Sequence, residues 1–408
     1  MSLQKLLLAS AACIGLTISF GAQATPSPSH VVIVMLENHD FTQFVGAANA
    51  PFINNTLIPQ GLVYTNSHGV EHPSQPNYLD FFSGSNQGVN NNNATASNSY
   101  NFPAIYAFLQ NQISLYQAAL NAGTAGFTAA GLQALQAKAA QVQPFVVFGT
   151  LATGDAFPVP KNFNIPAGVP FTTPNLASVL TQAGKTFTEY SEGLIAAGAA
   201  DSNGYANPAV LNNSADPLQV GYAHRHDPVA DWISTTPTGN QLPVSADQDF
   251  SLFPTDFSLL PSVALVVPNT INDGHDGTNA AGVSAADTWL ANNMANYLAW
   301  AKLNNSLLVV TTDENDFSSG NHILTVVDGD PSLFQQGGNG NYVDHFTLLA
   351  TLESMNGAAC TGAACASSGF SLTTDGSQLA VPEPSALAAL TGAMGVLGFA
   401  RRRRSNAN

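Results

Sequence analysis

Positive charge is what this sequence has least of: 10 Lys and Arg stand against 26 Asp and Glu in 408 residues, a formal net charge of −16. Four of the ten are the run Arg401-Arg402-Arg403-Arg404, and Lys5 lies at the opposite end. The body keeps Lys138, Lys161, Lys185, Lys302 and Arg225. An acidic body without a basic patch excludes nucleic acid or an anionic membrane as the main partner. Any phosphate would have to be held by a metal, backbone amides or His, because Arg225 is the one arginine ahead of the tail. Charge of either sign is also scarce, at 9% against 45% apolar residues. That balance excludes a disordered chain and leaves a globular protein with a polar, uncharged surface, long enough for one large domain or two modest ones. Cysteine is rare too: Cys13 lies in the leader, and Cys360 and Cys365 are spaced to close a small loop as a disulfide in an oxidising compartment.

The two ends read as addresses. Residues 1–24 carry Lys5, an apolar run from Leu6 through Leu16, and Ala22-Gln23-Ala24, the small-x-small pattern of a cleaved secretory signal. At the other end Val381-Pro382-Glu383-Pro384-Ser385 precedes an apolar stretch at 386–400 and the four arginines, which would hold that end in the cytoplasm. Residues 381–408 resemble the PEP-CTERM sorting signal of Gram-negative bacteria. The resemblance implies processing by an exosortase, export, transient anchoring in the inner membrane through 386–400, and a final place in the periplasm, on the cell surface or in the extracellular matrix.

Between the ends, residues 25–380 read as one domain. Val31-Val32-Ile33-Val34-Met35-Leu36, Val263-Ala264-Leu265-Val266-Val267 and Ser306-Leu307-Leu308-Val309-Val310-Thr311-Thr312 are unbroken runs of the kind a strand buried on both faces needs. Each ends in polar, ligand-type residues: Glu37-Asn38-His39-Asp40, Pro268-Asn269 and Asp313-Glu314-Asn315-Asp316. The expectation is an α/β fold, a mostly parallel central sheet flanked by helices with its site at the carboxyl ends of the strands. Helices are expected at 175–184 and 285–303. The Ala-, Gln- and Leu-rich stretch 105–143 reads as a helical insertion, either a cap over the site or a packing pair. Residues 86–101 read as a loop.

The densest stretch is Glu71-His72-Pro73-Ser74-Gln75-Pro76-Asn77-Tyr78-Leu79-Asp80-Phe81-Phe82-Ser83-Gly84. Its prolines favour an extended or turn conformation at His72 and Gln75, after which Tyr78, Leu79, Phe81 and Phe82 recur at helical spacing. Ser74 thus falls at a helix start, where free N–H groups and the helix dipole favour an alkoxide or a bound anion. It either caps the helix or serves as a nucleophile.

Taken in order, Val31 through Asn38, His72-Pro73-Ser74-Gln75-Pro76-Asn77-Tyr78, Pro174-Asn175-Leu176, Lys185 through Glu192, His224-Arg225-His226-Asp227-Pro228, Pro268-Asn269 through His275-Asp276, Asp313-Glu314, and His345 with Thr351-Leu352-Glu353 resemble the bacterial phosphoesterase family of phospholipase C-type enzymes and acid phosphatases. That family looks like a branch of the alkaline phosphatase superfamily, and the resemblance runs over about 29–355. It implies an alkaline phosphatase-like fold and a metal-assisted phosphoryl transfer through a Ser or Thr at a helix start, with a phosphoenzyme intermediate. Ser-x-Pro-Asn resembles the Thr-x-Pro-Asn around the nucleophile of the nucleotide pyrophosphatase branch, which implies Ser74 as the nucleophile and Asn77 as the amide that donates to a phosphoryl oxygen.

The chemistry requires the rest. A serine hydroxyl is a weak nucleophile until a divalent cation lowers its pKa and screens the phosphoryl oxygens. Glu37, Asn38, Ser74, Asp313 and Glu314 form an oxygen-rich ligand set suited to Ca, Mg or Mn, with Zn also accommodated. His275 and His345 stand where two-metal relatives bind zinc. They serve either a second metal, with Asn269, Asp273 or Asp276, or as acid and base. Asp313-Glu314 in place of the usual Asp-His favours one metal with acid–base histidines. His72, His226 and Arg225 are expected to line the phosphate-ester pocket. The alternative function is a non-catalytic, exopolysaccharide-matrix-associated protein. A sulfatase is disfavoured because Cys-x-Pro-x-Arg is absent from the sequence.

Overall fold

Strand β1 (His30–Leu36) sits in the middle of the sheet and is buried on both faces, with Val31, Ile33 and Met35 to one side and Val32, Val34 and Leu36 to the other, none more than 1% exposed. Each such side chain taken from water contributes about 1.5–3 kcal/mol, so an uncharged, unbroken run at this position anchors the whole fold. The computed structural model describes residues 26–90, 168–194 and 222–377 apart from 277 and 319, with scattered positions between 110 and 136.

In chain order, β1 is followed by α1 (Phe41–Phe44), a π-turn at Ile53–Leu57 running into α2 (Ile58–Gln60), β2 (Leu62–Tyr64), β3 (Ser67–His68) and α3 (Ser74–Ser83). Then come α4 (Leu176–Gln182), β4 (Phe187–Ser191), β5 (Asp247–Asp249), β6 (Val263–Val267) and α5 (Asn279–Ala301). The chain continues through β7 (Ser306–Thr312), β8 (Thr325–Gly329), β9 (Gly337–Asn339), β10 (Val343–Asp344) and α6 (His345–Met355). Eight strands form one sheet in the order β5-β4-β6-β1-β7-β8-β2-β9, and β3 pairs with β10 in a two-stranded ribbon. β1 lies parallel between β6 and β7, β4 extends the parallel set, and β8 alone runs against its neighbours β7 and β2.

Two cores follow from strand alternation. Val31, Ile33, Met35, Leu265 and Val309 pack on one face against Tyr78, Phe81 and Phe82 of α3, Leu176 and Leu180 of α4, and Leu348, Leu349 and Leu352 of α6. On the other face Val34, Leu36, Val266 and Val310 meet Trp289, Leu290, Met294 and Tyr297 of α5. The expected α/β architecture and the three parallel strands are therefore present.

Helix limits differ from expectation for local reasons. Asn175 caps α4 rather than joining it, its side chain accepting from Ser178 N while Ser178 Oγ serves Asn175 N. α5 begins at Asn279, not 285, because Thr278 caps it through Ala281 N and the small residues that follow let the helix lie close to the sheet loops. Of the 105–143 insertion only scattered helical positions are described, with Leu132 packed among Ile113, Leu120 and Leu252. The leader at 1–24, residues 91–101 of the loop and the tail at 381–408 lie outside the described residues. Among the described residues no helix is long and apolar enough to cross a membrane. Cys360 and Cys365 form the expected disulfide.

Candidate active site

Three sheet strands deliver the site. Glu37 directly follows β1, and the chain turns at Asn38, whose φ of 40° is the left-handed conformation that Asn tolerates better than most residues. Asp313 and Glu314 directly follow β7, and Asp313 N donates to Leu36 O, which locks the two strand ends together. Beyond β6, the loop from Asn269 to Asp276 returns beneath Glu37, whose N–H donates to Asp273 O at 2.9 Å.

Ser74 is the first residue of α3, after Pro73. Its Oγ lies 3.0 Å from Glu37 Oε2, 3.0 Å from Glu314 Oε1 and 3.4 Å from Asn38 Oδ1. One hydroxyl proton cannot serve three oxygens, so acceptors crowd one another around this atom. Asn38 repeats the pattern: its side-chain oxygen faces Glu37 Oε2 and Asp313 Oδ1, and it satisfies them only if the amide is turned so that the nitrogen donates at 2.6 and 3.3 Å. Asp313 Oδ2 is buried without a hydrogen-bond donor. Glu37, Asp313 and Glu314 are all fully buried. Burial pushes Asp313 up to about 7; burial and the neighbouring Asp313 charge push Glu314 up to about 9; burial, Asp313 and Asp273 raise Glu37. Carboxylates gathered this way, converging on a hydroxyl and an amide oxygen, fit a divalent cation held by Glu37, Asn38, Ser74, Asp313 and Glu314.

The remaining expected residues divide into those at the cluster and those supporting it. His72 donates through Nδ1 to Glu314 Oε2, and its ring stacks on exposed Phe317 with centroids 4.4 Å apart. His226, 2% exposed, places Nε2 3.2 Å from Glu37 Oε1 and Nδ1 3.4 Å from Asp273 Oδ2. Burial, with Arg225 and His275 nearby, pushes the His226 pKa well below the usual value, which keeps the imidazole neutral. Arg225 donates to His275 Nε2 at 3.3 Å, and His275 Nδ1 pairs with Asp276 at 3.0 Å on the solvent side. Arg225 also draws down the pKa of Glu37, Asp273 and Glu314.

Geometry gives four of the expected residues, Asn77, His345, Asn269 and Asp276, partners within the chain. Asn77 is wholly buried and spends its amide on the Ser74 loop: Oδ1 accepts from Val70 N and Glu71 N, and Nδ2 donates to Glu71 O and Pro73 O. No donor is left for a phosphoryl oxygen. His345 donates its Nε2–H to the Asp313 carbonyl, so it reaches the cluster through the main chain of a ligand strand. Asn269 shapes its turn by accepting from Ile271 N and Asn272 N, and Asp276 is engaged by Thr270 Oγ1 and His275. Of Asn269, Asp273 and Asp276 only Asp273 reaches Glu37 and His226.

Two participants escaped the sequence reading. Tyr78 looked like a core side chain, yet its OH donates to Glu37 Oε1 at 2.6 Å while its ring stacks on His226 at 5.2 Å and 10°. Its helical spacing from Ser74 was the available signal. Glu192, after β4, binds Asn269 N and Asn272 Nδ2 and so holds the Asp273 loop.

The phosphoesterase family profile matches residues 47–331. The chain belongs to the phosphoesterase family. It is accordingly a hydrolase of phosphoric ester bonds. Over 347 residues it is 30% identical to the phosphatidylinositol-3-phosphatase of Mycobacterium tuberculosis, covering 85% of this chain and 82% of that protein. It is 23% identical over 326 residues to an acid phosphatase of Aspergillus fumigatus, covering 78% of this chain and about half, 53%, of that one. Among solved structures it resembles an alkaline phosphatase superfamily protein from Vibrio parahaemolyticus at a TM-score of 0.39 and 11% identity, over 82% of this chain and 67% of that one. Glu37, Asn38 and His345 lie outside the span of the family match, so their part in this phosphoesterase rests on the geometry above.

Proposed function

We propose that this phosphoesterase is an exported, metal-dependent phosphatase of phosphate monoesters that uses Ser74 as its nucleophile. The observation that carries the reading is Ser74 Oγ at a helix start, 3.0 Å from both Glu37 and Glu314 and ringed by buried acceptors. A divalent cation on those oxygens would stabilise the serine alkoxide and charge on the phosphoryl oxygens.

The chain's own groups supply the remaining steps. Ser74 Oγ gives its proton to Glu37 or Glu314 and bonds to phosphorus, the P–O bond to the alcohol breaks, and the departing alkoxide takes a proton from water. The hydroxide so formed attacks phosphorus, the Ser74 Oγ–P bond breaks, Ser74 recovers its proton from the carboxyl group, and phosphate is freed. His72 holds Glu314 in place, and His345 and Asn77 hold Asp313 and the Ser74 loop. Arg225, half-buried beside His275, would meet a phosphoryl oxygen.

Both named relatives are phosphatases, which favours a monoester over a phospholipase C-type diester. The leader at 1–24 and the PEP-CTERM-like tail support export with an exosortase as processing partner and the exopolysaccharide matrix as a destination. A disulfide in the body agrees with an oxidising compartment.

The test is hydrolysis of p-nitrophenyl phosphate beside its phosphorylcholine ester, before and after chelation, for wild type and Ser74→Ala. Chelator-sensitive cleavage of the monoester is expected, falling by roughly 10³-fold or more in Ser74→Ala at unchanged circular dichroism. Ser74→Ala keeping most of its activity would remove the nucleophile, and preference for the choline ester would move the substrate class to diesters.

A further inference from the structure

We infer that Phe317 is the platform on which the leaving group of the substrate stacks, so that the esters this chain prefers are phosphate monoesters of planar aromatic alcohols. The inference deepens the reading of Ser74 as nucleophile given above and rests on it.

Among the described residues, exposed large apolar side chains are few. Leu259 and Leu303 precede β6 and β7, at the end of the sheet opposite to Ser74. Ile271 offers no flat face, and Tyr342 stacks on His68 beside β10. Phe317 is different: it lies just past Asp313-Glu314 at the carboxyl end of β7 and is 65% exposed. Its ring is backed by the His72 imidazole, with centroids 4.4 Å apart and planes inclined by 22°. The same His72 bonds through Nδ1 to Glu314 Oε2, and Glu314 Oε1 lies 3.0 Å from Ser74 Oγ. One imidazole therefore separates the aromatic ring from the group beside the nucleophile, and most of that ring is in water.

The backbone holds the ring there against its own preference. Phe317 has a φ of 63°, in the left-handed region that a bulky residue rarely enters and that Gly enters freely. Such an outlier persists where its surroundings impose it. Asn315 N donates to Asn321 Oδ1 at 2.8 Å and Asn315 Nδ2 to Ser318 Oγ at 2.7 Å, which closes the loop around Phe317. Gln43 Nε2 donates to Asp316 Oδ2 at 2.8 Å, and Asn321 Nδ2 to Glu71 O at 3.0 Å, tying the loop to α1 and to the chain that leads into Ser74. A loop that had only to turn would do so more easily with Gly at this position, and a ring that had only to be buried would not be left in water. Charge supplies a further reason. A phosphate ester approaching a chain of net charge −16 meets Arg225 as the guanidinium near the buried carboxylates. Stacking on an uncharged ring adds affinity that this field does not supply, and it selects a flat leaving group over a flexible polyol.

The experiment compares 2-naphthyl phosphate with phenyl phosphate, whose leaving groups are similar in acidity and differ in stacking area, and with glycerol 2-phosphate. It uses the full chain as wild type, Phe317→Gly, Phe317→Leu and Phe317→Trp. Wild type should favour the naphthyl ester in kcat/KM. Phe317→Gly and Phe317→Leu should each lose about 3–10-fold on that ester, chiefly through KM, while Phe317→Trp keeps the preference. Phe317→Leu stands in if Phe317→Gly loosens the loop, because it retains a bulky apolar side chain without a π face. A naphthyl-to-phenyl ratio that Phe317→Gly and Phe317→Leu leave at the wild-type value overturns the platform and leaves Ser74 standing as the nucleophile. If wild type cleaves none of the three esters, the proposed function falls, and calorimetric titration of 2-naphthyl phosphate into wild type and Phe317→Gly decides the platform separately. Weaker binding by Phe317→Gly supports it; equal binding, or none to wild type, overturns it.

Discussion

Asn77 and Glu353 show what a single side chain's partners decide. Asn77 ties together Val70, Glu71 and Pro73, the backbone leading into Ser74. Asn77→Ala would leave the partly buried N–H donors of Val70 and Glu71 unpaired, so a stability loss of about 1–3 kcal/mol is expected, with kcat falling as Ser74 loses its position. Denaturant unfolding beside kinetics checks this: lost activity at unchanged stability would return Asn77 to a role on substrate. Glu353 near the end of α6 accepts from Thr361 Oγ1 at 2.6 Å, and burial pushes its carboxyl up to about 7. A raised folded-state pKa means that the folded chain binds the proton more tightly than the unfolded chain. This contribution is therefore full below about 4.5 and lost as pH rises through about 7. Glu353→Gln should flatten the decline in Tm between pH 5 and pH 8, and equal slopes for variant and wild type would refute the assignment.

At the scale of elements, the site depends on how closely α5 lies under the Asp273 loop. A Cβ on Gly282 of α5 would come within 2.2 Å of Gly274 O, and Gly274 itself has a φ of 113°. Helix propensity favours Ala over Gly by about 1 kcal/mol, but a clash with backbone has no cheap relief and wins. Gly282→Ala should lower stability by about 1–3 kcal/mol and disturb the loop whose Asp273 carbonyl accepts from Glu37 N. A Tm at or above wild type would show that the helix and loop separate freely. The strand elements were legible because their runs are apolar at every position, which only a strand buried on both faces requires. The start of α5 was not, since the tight helix–loop approach that needs Gly282 is invisible in the sequence.

For the whole molecule, the dominant electrostatic fact is an acidic body whose site gathers Glu37, Asp273, Asp313 and Glu314 out of water with Arg225 as the nearby guanidinium. A cation that binds the folded chain and not the unfolded one adds stability by mass action. Chelation is thus expected to lower Tm by several degrees, at about 2–4 °C for each kcal/mol in a domain of this size, with Mn(II) restoring it. An unchanged Tm would mean that the buried carboxylates are held by protons instead.

What the sequence alone determined is the order of the parts: apolar runs that become β1, β6 and β7, polar residues at their carboxyl ends, and Ser74 at the start of α3. These are local properties, set by side-chain period and by proline. Only the tertiary structure decided which of those polar residues meet. Parallel pairing of β1 with both β6 and β7 sets Glu37 beside Asp313 on one side and Asp273 on the other. It assigns Asn77 and His345 to holding the backbone and turns Tyr78 onto Glu37. Hydrogen-bond partners distant in sequence are fixed by strand register and helix packing, which no local pattern of residues encodes.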